Sequence, residues 1–347
     1  MSDFGKINIY VSDEVAQRLD EDAKLFEVFK NDGVTINRNK FLNLLVLGYS
    51  ESFANESEHM RIALGEEIDK IPARLSPVVK SQLIDGIMSN AIHPSDHKRK
   101  GIHQSRLSLK PVKYTEGIIG AIHEVFGPSD SDSSYFRSML SSYCQKPSNE
   151  REQIIFSRSF EPLKKACRPR VKSRPIVSFS TTRDPEKMFS AIPYDVAIGQ
   201  GEQFNYLLCS VLGRDGQKPM SFRLARITRL ARTGRSATID PEVEELLNRT
   251  KRFGAQYVIS SDVETVVRLT VKGVQAYQSI YFGRPEYTKR EQLSDGEWLY
   301  RFKCSQNQLF LFFKRFGPDE AEVVSPSELR EQIIEFHQGA LAMYKKE

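Results

Sequence analysis

The sequence has few cysteines, one tryptophan and no long apolar run among its 347 residues. Its four cysteines, Cys144, Cys167, Cys209 and Cys304, lie far apart and form no C-x-x-C pair, which argues against a zinc ribbon or a thioredoxin-type site. No stretch of 18 apolar residues is present, so no transmembrane helix is predicted. No basic segment followed by an apolar one begins the chain, so no secretion signal is predicted either. We expect a cytoplasmic protein with reduced thiols and no membrane partner.

Positive charge is concentrated in the middle of the chain. The whole sequence has 50 Lys and Arg against 45 Asp and Glu, a net charge of +5. The segment from Arg151 to Arg235 contains 17 basic and 7 acidic residues, a net charge of +10, so the remainder sums to −5. A basic middle between neutral or acidic flanks indicates binding of a polyanion such as nucleic acid. A solvated basic face without a partner is the alternative interpretation.

The first fifty residues predict a strand followed by two helices. Lys6–Val11 (KINIYV) alternates polar and apolar side chains, which is typical of a strand with one polar face. Ser12 can cap the first helix, Gly33 interrupts the pattern, and a second helix begins near Asn37. Such a piece is too small to bury its own core, so two copies must pair.

This order and length resemble the ribbon-helix-helix family of DNA-binding proteins. The resemblance implies that two strands pair into an antiparallel ribbon that enters the major groove. The polar strand face, with Lys6, Asn8 and Tyr10, would then contact base edges. The N-terminus of the second helix, with Asn37 and Arg38, would bind a phosphate. A strand-helix-helix piece used only for assembly is the alternative.

A weak internal repeat indicates a second half of the same kind. Arg106–Leu109 alternates like a strand, while Thr115–Phe126 and Ser134–Cys144 are typical of helices. We therefore predict a degenerate second half that pairs with the first within one chain. Its strand would offer three polar side chains on the ribbon face: Arg106, Ser108 and Lys110.

Closely spaced strand-like runs follow a predicted helix at Glu152–Ala166. Turn signals separate them, and short strands at this spacing indicate a small, strongly bent barrel. The four runs are Pro175–Ser180, Met188–Ile198, Phe204–Leu212 and Met220–Leu230.

From about residue 151 to the end, the chain resembles the WYL-domain family. Asn205-Tyr206-Leu207 stands where the family has Trp-Tyr-Leu, and Phe222–Ile227 (FRLARI) stands where it has a Phe-Arg-Leu-Asp-Arg-Ile run. Ala321–Ile334 looks like the strand and helix that close the family's C-terminal extension. The resemblance implies an Sm- or SH3-like barrel that binds a nucleic acid or a nucleotide-like ligand. Asn205 in place of Trp and Ala225 in place of an acidic residue put the family's ligand pocket in question.

Arginines recur at every third position from residue 223. On a flat strand, neighbouring members of this series would point to opposite faces, whereas a bulge would bring more of them to one rim. Tyr206 on the adjacent run offers a ring on which a base could stack. A core tyrosine and solvated arginines are the alternatives. The predicted nucleic-acid site of the barrel has six members: Arg174, Tyr206, Arg223, Arg226, Arg229 and Arg232.

The last hundred residues alternate predicted helices and strands, as in a ferredoxin-like α+β module. Ser325 is predicted to cap the final helix, with Pro326 and Glu328 completing a capping box. The apolar run Leu309–Phe316 supplies either the core of this module or a dimer interface. We expect a homodimer.

Motifs of common enzyme classes are missing: there is no Walker loop, no G-x-S-x-G elbow and no H-E-x-x-H. Arg330 and His337 are seven residues apart on the predicted last helix, a spacing similar to that of RNases in which His acts as acid or base. This spacing arises easily by chance. We therefore expect no catalytic residue, no cofactor and no metal site, and keep RNase activity as an alternative.

Taken together, these segments resemble the WYL accessory proteins of type VI-D CRISPR systems. The resemblance implies an α+β multidomain protein: a ribbon-helix-helix at 1–50, a helical linker and degenerate second half at 51–150, a WYL Sm/SH3-like barrel at 151–240 and a ferredoxin-like dimerisation module at 241–347. It implies a non-catalytic protein that binds single-stranded RNA, with DNA as a further candidate, and stimulates an RNA-guided CRISPR RNase. The alternative is a ligand-responsive regulator that reads duplex DNA with the ribbon and binds an effector in the barrel.

Overall fold

The structure, a computed structural model, describes residues 5–71, 75–92, 104–126, 130–167, 173–201 and 203–345. The chain forms two compact units, Met1–Phe160 and Glu161–Glu347. Both combine helices with antiparallel strands, so the expected α+β class and multidomain organisation are present. The finer domain limits given above stay predictions.

A two-stranded ribbon with surrounding helices makes up the first unit. Ser12 caps the first helix, because its Oγ accepts a hydrogen bond from the Val15 amide at 3.4 Å. The elements in chain order are β1 (Ile7–Ser12), α1 (Asp13–Leu25), α2 (Arg38–Asp69), α3 (Pro77–Ile92), β2 (Gln104–Leu109), α4 (Glu116–Phe126), α5 (Asp130–Gln145) and α6 (Ser148–Ile155), and α7 (Ser157–Cys167) spans the boundary between the units.

The ribbon is formed by β1 and β2, which pair antiparallel although they lie far apart in the sequence. Ile9 lies opposite Leu107, and Tyr10 lies opposite Arg106. Ile9 and Leu107 are buried, whereas Tyr10 and Arg106 on the other face are exposed. The strand pairing expected from the internal repeat is therefore present, and one chain supplies both strands.

Two buried polar networks connect the halves of this unit. Asp22 on α1 accepts hydrogen bonds from Arg151 Nε on α6 at 2.7 Å and from the Tyr143 hydroxyl on α5 at 2.9 Å. The Thr115 hydroxyl, just before α4, donates to Asn43 Oδ1 on α2 at 2.5 Å. Buried polar groups are tolerated only when they are satisfied, so these networks fix the arrangement of the helices around the ribbon.

A five-stranded antiparallel sheet begins the second unit. Each strand pairs with the next, and the last strand returns to pair with the first, which gives the order β6-β5-β4-β3-β7. The strands are β3 (Arg174–Thr181), β4 (Phe189–Ile198), β5 (Asn205–Gly213), β6 (Gly216–Arg223) and β7 (Ile227–Ala237).

The prediction of one strand over Met220–Leu230 is wrong. β6 ends at Arg223, a 3-10 turn occupies Leu224–Arg226, and β7 begins afterwards. Leu224 and Ala225 are buried, and this tertiary burial stabilises a turn where the sequence alone favours extended backbone.

Helix α8 (Pro241–Phe253) covers one face of the sheet. Val243 and Leu247 on this helix belong to the same apolar cluster as Ile176, Ile192 and Leu208 on the strands. A separate group of aromatic rings is formed by Phe179, Phe189 and Phe222. These contacts hold the strands that carry the arginine series.

The C-terminal part of this unit alternates strands and helices in the order β-α-β-β-α-β-α. Its antiparallel sheet has the order β11-β8-β10-β9. Phe312, Phe313 and Phe316 are buried in a cluster with Tyr277 and Phe302, so they form the core of this module rather than an exposed interface. The elements are β8 (Thr265–Leu269), α9 (Val271–Ser279), β9 (Lys289–Gln292), β10 (Trp298–Phe302), α10 (Gln306–Phe313), β11 (Ala321–Ser325) and α11 (Ser327–Tyr344).

Two predicted helix boundaries are wrong. Ser325 does not cap the last helix, because it lies in β11 opposite Val266, and α11 begins at Ser327 without a side-chain cap. The predicted helix Glu152–Ala166 is divided into α6 and α7 at Phe156, whose ring packs against Phe26 with the centroids 6.3 Å apart. In both cases long-range pairing or packing overrides the local pattern.

Candidate nucleic-acid interface

The ribbon presents one continuous polar face. Asn8 lies opposite Ser108, whose hydroxyl oxygen is 3.2 Å from Asn8 Oδ1, and Tyr10 is 43% exposed opposite Arg106. Cross-strand partners in an antiparallel pair share a face, so the predicted residues of both strands lie side by side. The ribbon face consists of Lys6, Asn8, Tyr10, Arg106, Ser108 and Lys110.

A cleft of about 680 Å³ lies between this face and the start of α2. The lining includes Lys30, in the turn before α2, which the sequence patterns did not predict; the only signal there is the local run Lys-Asn-Asp-Gly. Within the described residues, no Asp or Glu lines this cleft. Its charged lining residues are Lys6, Lys30, Arg38, Arg106 and Lys110.

Both predicted phosphate ligands at the start of α2 already have partners within the protein. Asn37 caps the helix, because its Oδ1 accepts a hydrogen bond from the Lys40 amide at 3.0 Å. Arg38 Nε donates to Asp20 Oδ1 at 2.6 Å, and this hydrogen bond raises the pKa of Arg38. A phosphate bound here would therefore compete with Asp20 for the guanidinium.

Strand β7 carries three exposed arginines, Arg229, Arg232 and Arg235, which we call the arginine edge. The pairing of β7 with β3 shifts register at two points, and Arg229 and Gly234 have φ values of 50° and 73°. These register shifts are irregularities of the kind that can bring several side chains of such a series to one rim, and all three side chains are exposed. In the described part of the chain, none of these three arginines forms an ion pair with a carboxylate.

Arg223 directly precedes the 3-10 turn, Arg226 is its last residue, and both are half-buried. The guanidinium carbon of Arg223 is 3.6 Å from the centroid of the Phe204 ring, a stacking contact that the sequence analysis missed. This contact holds the planar guanidinium at the end of β6. Phe204 lies just before β5, although the predicted run Phe204–Leu212 had included it in the strand.

Tyr206 lies directly opposite Arg223 in the pairing of β5 with β6. Its ring is half-buried and packs against the cluster under α8 and against Gly199, where an added Cβ would come within 2.7 Å of Tyr206 Cε2. The two predicted residues are therefore neighbours, and part of the tyrosine ring serves packing.

Arg174 has an internal role. Its side chain is 13% exposed, and Nη1 donates to the carbonyl oxygens of Cys167 and Tyr194, each at 3.0 Å. The guanidinium also stacks over the Tyr194 ring at 5.2 Å. The Arg174 guanidinium is therefore engaged within the protein.

The residues considered for catalysis are separated or engaged elsewhere. Arg330 Nη1 donates to Glu322 Oε1 at 2.7 Å and to the Val323 carbonyl, so it connects α11 to β11. His337 lies two helical turns away, about 10 Å along the axis.

Burial raises the pKa of the Cys144, Cys167 and Cys304 thiols to about 12 and also raises that of Cys209, so these side chains are protonated at neutral pH.

Within the described residues, no group of three or more His, Cys, Asp or Glu side chains is arranged to hold a metal ion. No helix in the described ranges has both the length and the apolar character needed to cross a membrane.

The comparisons with known proteins bear on the fold. No protein-family model and no curated protein matches the chain. Among solved structures, it is similar to one described as a CRISPR Cas-related protein, with 17% identity, a TM-score of 0.61, and coverage of 99% of this chain and 94% of the other. Proteasome accessory factor B/C (PafBC) of Arthrobacter aurescens aligns over 70% of this chain and 39% of its own, with 17% identity and a TM-score of 0.29, which supports no statement about the fold. The first similarity extends the α+β architecture over nearly the whole length of both proteins.

Proposed function

We propose that this protein is a non-catalytic accessory factor of a CRISPR system that binds single-stranded RNA and stimulates an RNA-guided RNase. The observation that carries the proposal is the arginine edge. Three exposed guanidinium groups on one irregular strand can contact successive phosphates of a flexible strand. Arg223 and Arg226 lie at the beginning of the same segment and would extend this surface.

The arginine edge favours recognition of the backbone over recognition of sequence. Apart from Thr233, the residues between these arginines are leucine, alanine and glycine, which offer no side-chain hydrogen bonds to base edges. Arginine combines a permanent charge with a planar face, so it can bind phosphate and stack on an unpaired base. Charged side chains also protect an edge strand from pairing with other chains, so the experiment must separate these two roles.

The topology supports the finer assignments that the sequence implied. The return of β7 to β3 after a short 3-10 turn supports an Sm- or SH3-like barrel of the WYL family. The order β-α-β-β-α-β with sheet order β11-β8-β10-β9 supports a ferredoxin-like module, and the intramolecular ribbon supports a ribbon-helix-helix pair. The similar fold of a CRISPR Cas-related protein supports the CRISPR context.

The homodimer belongs to the same proposal. Leu341, Met343 and Tyr344 on α11 are 54%, 69% and 90% exposed, and apolar side chains of this kind favour contact with a second copy. Two RNA-binding sheets in one particle would bind a long strand with avidity. Light scattering at micromolar concentration that gives the mass of one chain would contradict the dimer.

The test of RNA binding is the triple variant Arg229→Gln, Arg232→Gln, Arg235→Gln. We expect its affinity for a single-stranded RNA to fall about 10- to 100-fold at 0.15 M salt, and the slope of log K against log salt to decrease by about 2, because three phosphate contacts are lost. The matched control, Lys272→Gln, Lys314→Gln, Lys345→Gln, removes the same charge from other surfaces. Equal affinity of the two triple variants would contradict the proposal.

The accessory role requires a second measurement. Cleavage of target RNA by the RNA-guided RNase of the same organism should increase when the wild-type protein is added, and the arginine-edge variant should increase it less. The protein alone should leave the RNA intact. If the arginine-edge variant stimulates fully while its RNA affinity is reduced, RNA binding by this edge is not the basis of stimulation.

A second candidate function is regulation through duplex DNA, which the ribbon face and its basic cleft favour. Asn8 and Arg106 are side chains that can read base edges, and five lysine and arginine residues lie in the adjoining cleft. Selection from a random duplex pool tests this function: enrichment of a defined site would support it, and failure to enrich one would leave the ribbon as an assembly device.

A further inference from the structure

The second unit contains an open cleft of about 540 Å³ that lies outside the arginine edge. Residues from several separate segments line it: the loop after β4, the end of α8, α9 with its connection to β9, the strands β9 and β10, and α10. Its character is set by aromatic rings and arginines. The floor is formed by Tyr277 and Tyr300, which are buried, and the Tyr277 hydroxyl donates to the Pro285 carbonyl at 2.5 Å.

Two tyrosines on the wall of the cleft offer exposed rings. Tyr281 is 82% exposed and Tyr287 is 39% exposed. Tyr287 lies against the buried Tyr300 ring with the centroids 5.0 Å apart, so its position is fixed by packing. A large aromatic side chain that is four-fifths exposed contributes little to the core, whereas it provides a surface on which a planar ligand can stack.

Three arginines surround these rings. Arg290 lies over both Tyr287 and Trp298, at 5.7 and 5.4 Å from the ring centroids, and Arg284 lies 5.8 Å from the Tyr277 centroid. Arg252 enters from the end of α8. Within the described residues none of the three forms an ion pair, and Glu286 is the one acidic residue among the lining side chains.

We infer that this cleft binds one nucleotide unit of a single-stranded RNA, with its base stacked on Tyr281 and its phosphate contacted by Arg252 and Arg284. An aromatic platform beside several arginines matches a ligand that is planar on one side and anionic on the other. Because the cleft is open rather than enclosed, a strand can enter and leave it. The inference rests on the proposed RNA-binding function and extends it to the C-terminal module.

The cleft borders the segment that carries Tyr206. Gln200 lines the cleft, and its amide and carbonyl are both bonded to the Gln256 side chain, at 2.8 and 2.6 Å. The neighbouring residue, Gly199, is in contact with the Tyr206 ring. Tyr206 in turn lies opposite Arg223. A strand bound at Arg223 would therefore reach the cleft along the loop after β4.

The experiment uses the full-length protein and an oligouridylate of about 15 nucleotides that contains 5-iodouridine, which forms photo-crosslinks with stacked aromatic side chains. We expect crosslinks at Tyr281 or Tyr287 after digestion and mass spectrometry. We also expect Tyr281→Ala to weaken binding of the oligonucleotide at least about fivefold, because one stacked base is lost. The matched control is Tyr114→Ala, which removes an exposed tyrosine from the segment before α4 in the first unit.

The charged part of the site is tested in the same assay. Arg252→Gln should reduce affinity and the salt dependence, whereas Arg214→Gln, in the turn between β5 and β6, should change neither. Thermal unfolding should be unchanged for all four variants, because each replaced side chain is exposed.

The outcomes distinguish this inference from the proposed function. If wild-type protein binds the strand and the arginine-edge variant weakens binding, but Tyr281→Ala and Arg252→Gln bind normally and no crosslink falls in the cleft, the cleft inference is overturned and the proposed function stands. If wild-type protein binds no strand, both are overturned. If free uridine monophosphate binds in the cleft but the oligonucleotide does not, the inference is also overturned, because the ligand would then be a small effector.

Discussion

The ribbon face and the arginine edge are both polar and both exposed, but their chemistry differs. On the ribbon, a regular pair of strands holds Asn8, Tyr10 and Arg106 in register, and neighbouring side chains bond to each other, as Ser108 does to Asn8. On β7, bulges break the register, and the exposed cations project without carboxylate partners among the described residues. A regular array with donors and acceptors suits the reading of base edges, whereas an irregular row of charges suits the binding of a flexible backbone.

In the functions that we propose, the two surfaces would therefore have separate tasks. The surface that depends on register requires a rigid support, while the surface that depends on charge tolerates local irregularity. Mutations that affect the ribbon should therefore change stability and sequence specificity. Mutations in the arginine edge should change the salt-dependent affinity.

The largest expected effect concerns the support of the ribbon. Asp22→Ala would leave the Arg151 guanidinium buried without its partner, and we expect it to reduce the free energy of unfolding of the first unit by about 3–5 kcal/mol. Hydrogen exchange of the β1 and β2 amides should accelerate, while the β3–β7 amides remain protected. The control is Asp20→Ala, which removes an exposed ion pair worth less than about 1 kcal/mol. If both variants lose equal stability, the buried network does not support the ribbon.

The next effect would separate the two surfaces directly. Replacing Lys6, Asn8 and Tyr10 together by Ala should reduce binding to a selected duplex site by about 100-fold or more, because contacts to base edges contribute about 1–3 kcal/mol each. Binding of single-stranded RNA should stay within a factor of about two. Loss of RNA affinity in this variant would show that the two surfaces act as one.

A smaller effect would test the neighbours at the end of β6. Arg223→Ala should weaken RNA binding by about tenfold, more than the loss of one surface charge. Tyr206→Phe should bind as the wild type does, because the ring is kept. Tyr206→Ala should reduce both affinity and thermal stability, since the ring also fills space beside Gly199. Wild-type RNA binding by a well-folded Arg223→Ala, Arg226→Ala, Tyr206→Ala variant would exclude this site.

The smallest effect would come from freeing a cation at the start of α2. Asp20→Asn removes the charge that holds Arg38, so the guanidinium becomes available to a phosphate. We expect non-specific duplex affinity to increase about two- to fivefold at low salt, as measured by fluorescence anisotropy. RNA binding by the second unit should not change. A decrease in duplex affinity would mean that Arg38 positions the helix rather than the ligand.

Local patterns predicted the short elements at the beginning of the first unit. The alternation over Lys6–Val11, the Ser12 cap and the helix start near Asn37 all correspond to observed features, because each depends on contacts within a few residues. The 32-residue length of α2 was not predicted. Its second half is held by contacts with α3, including the ion pair between Arg61 and Asp85, which no local pattern encodes.

Residues of the candidate site could be predicted where they lie close together in the sequence. They could not be predicted where only folding brings them together. The arginines recur at regular intervals within one short segment, so their spacing was visible in the sequence. The 3-10 turn could not be predicted, because Phe222–Ile227 has the composition of a strand. Only the burial of Leu224 and Ala225 in the folded protein stabilises the turn. The C-terminal cleft was missed for the same kind of reason: Gln200, Arg252 and Tyr281 become neighbours only after folding.

The ribbon has a consequence for symmetry. When two identical chains pair their strands, the surface they form repeats itself about a two-fold axis, and it matches a palindrome. Here a single chain supplies both strands, and Asn8 and Tyr10 on one lie opposite different residues, Ser108 and Arg106, on the other. Any duplex that this face reads should therefore have two unlike half-sites. Because the strands are covalently joined, the reading surface also persists at any dilution of the protein.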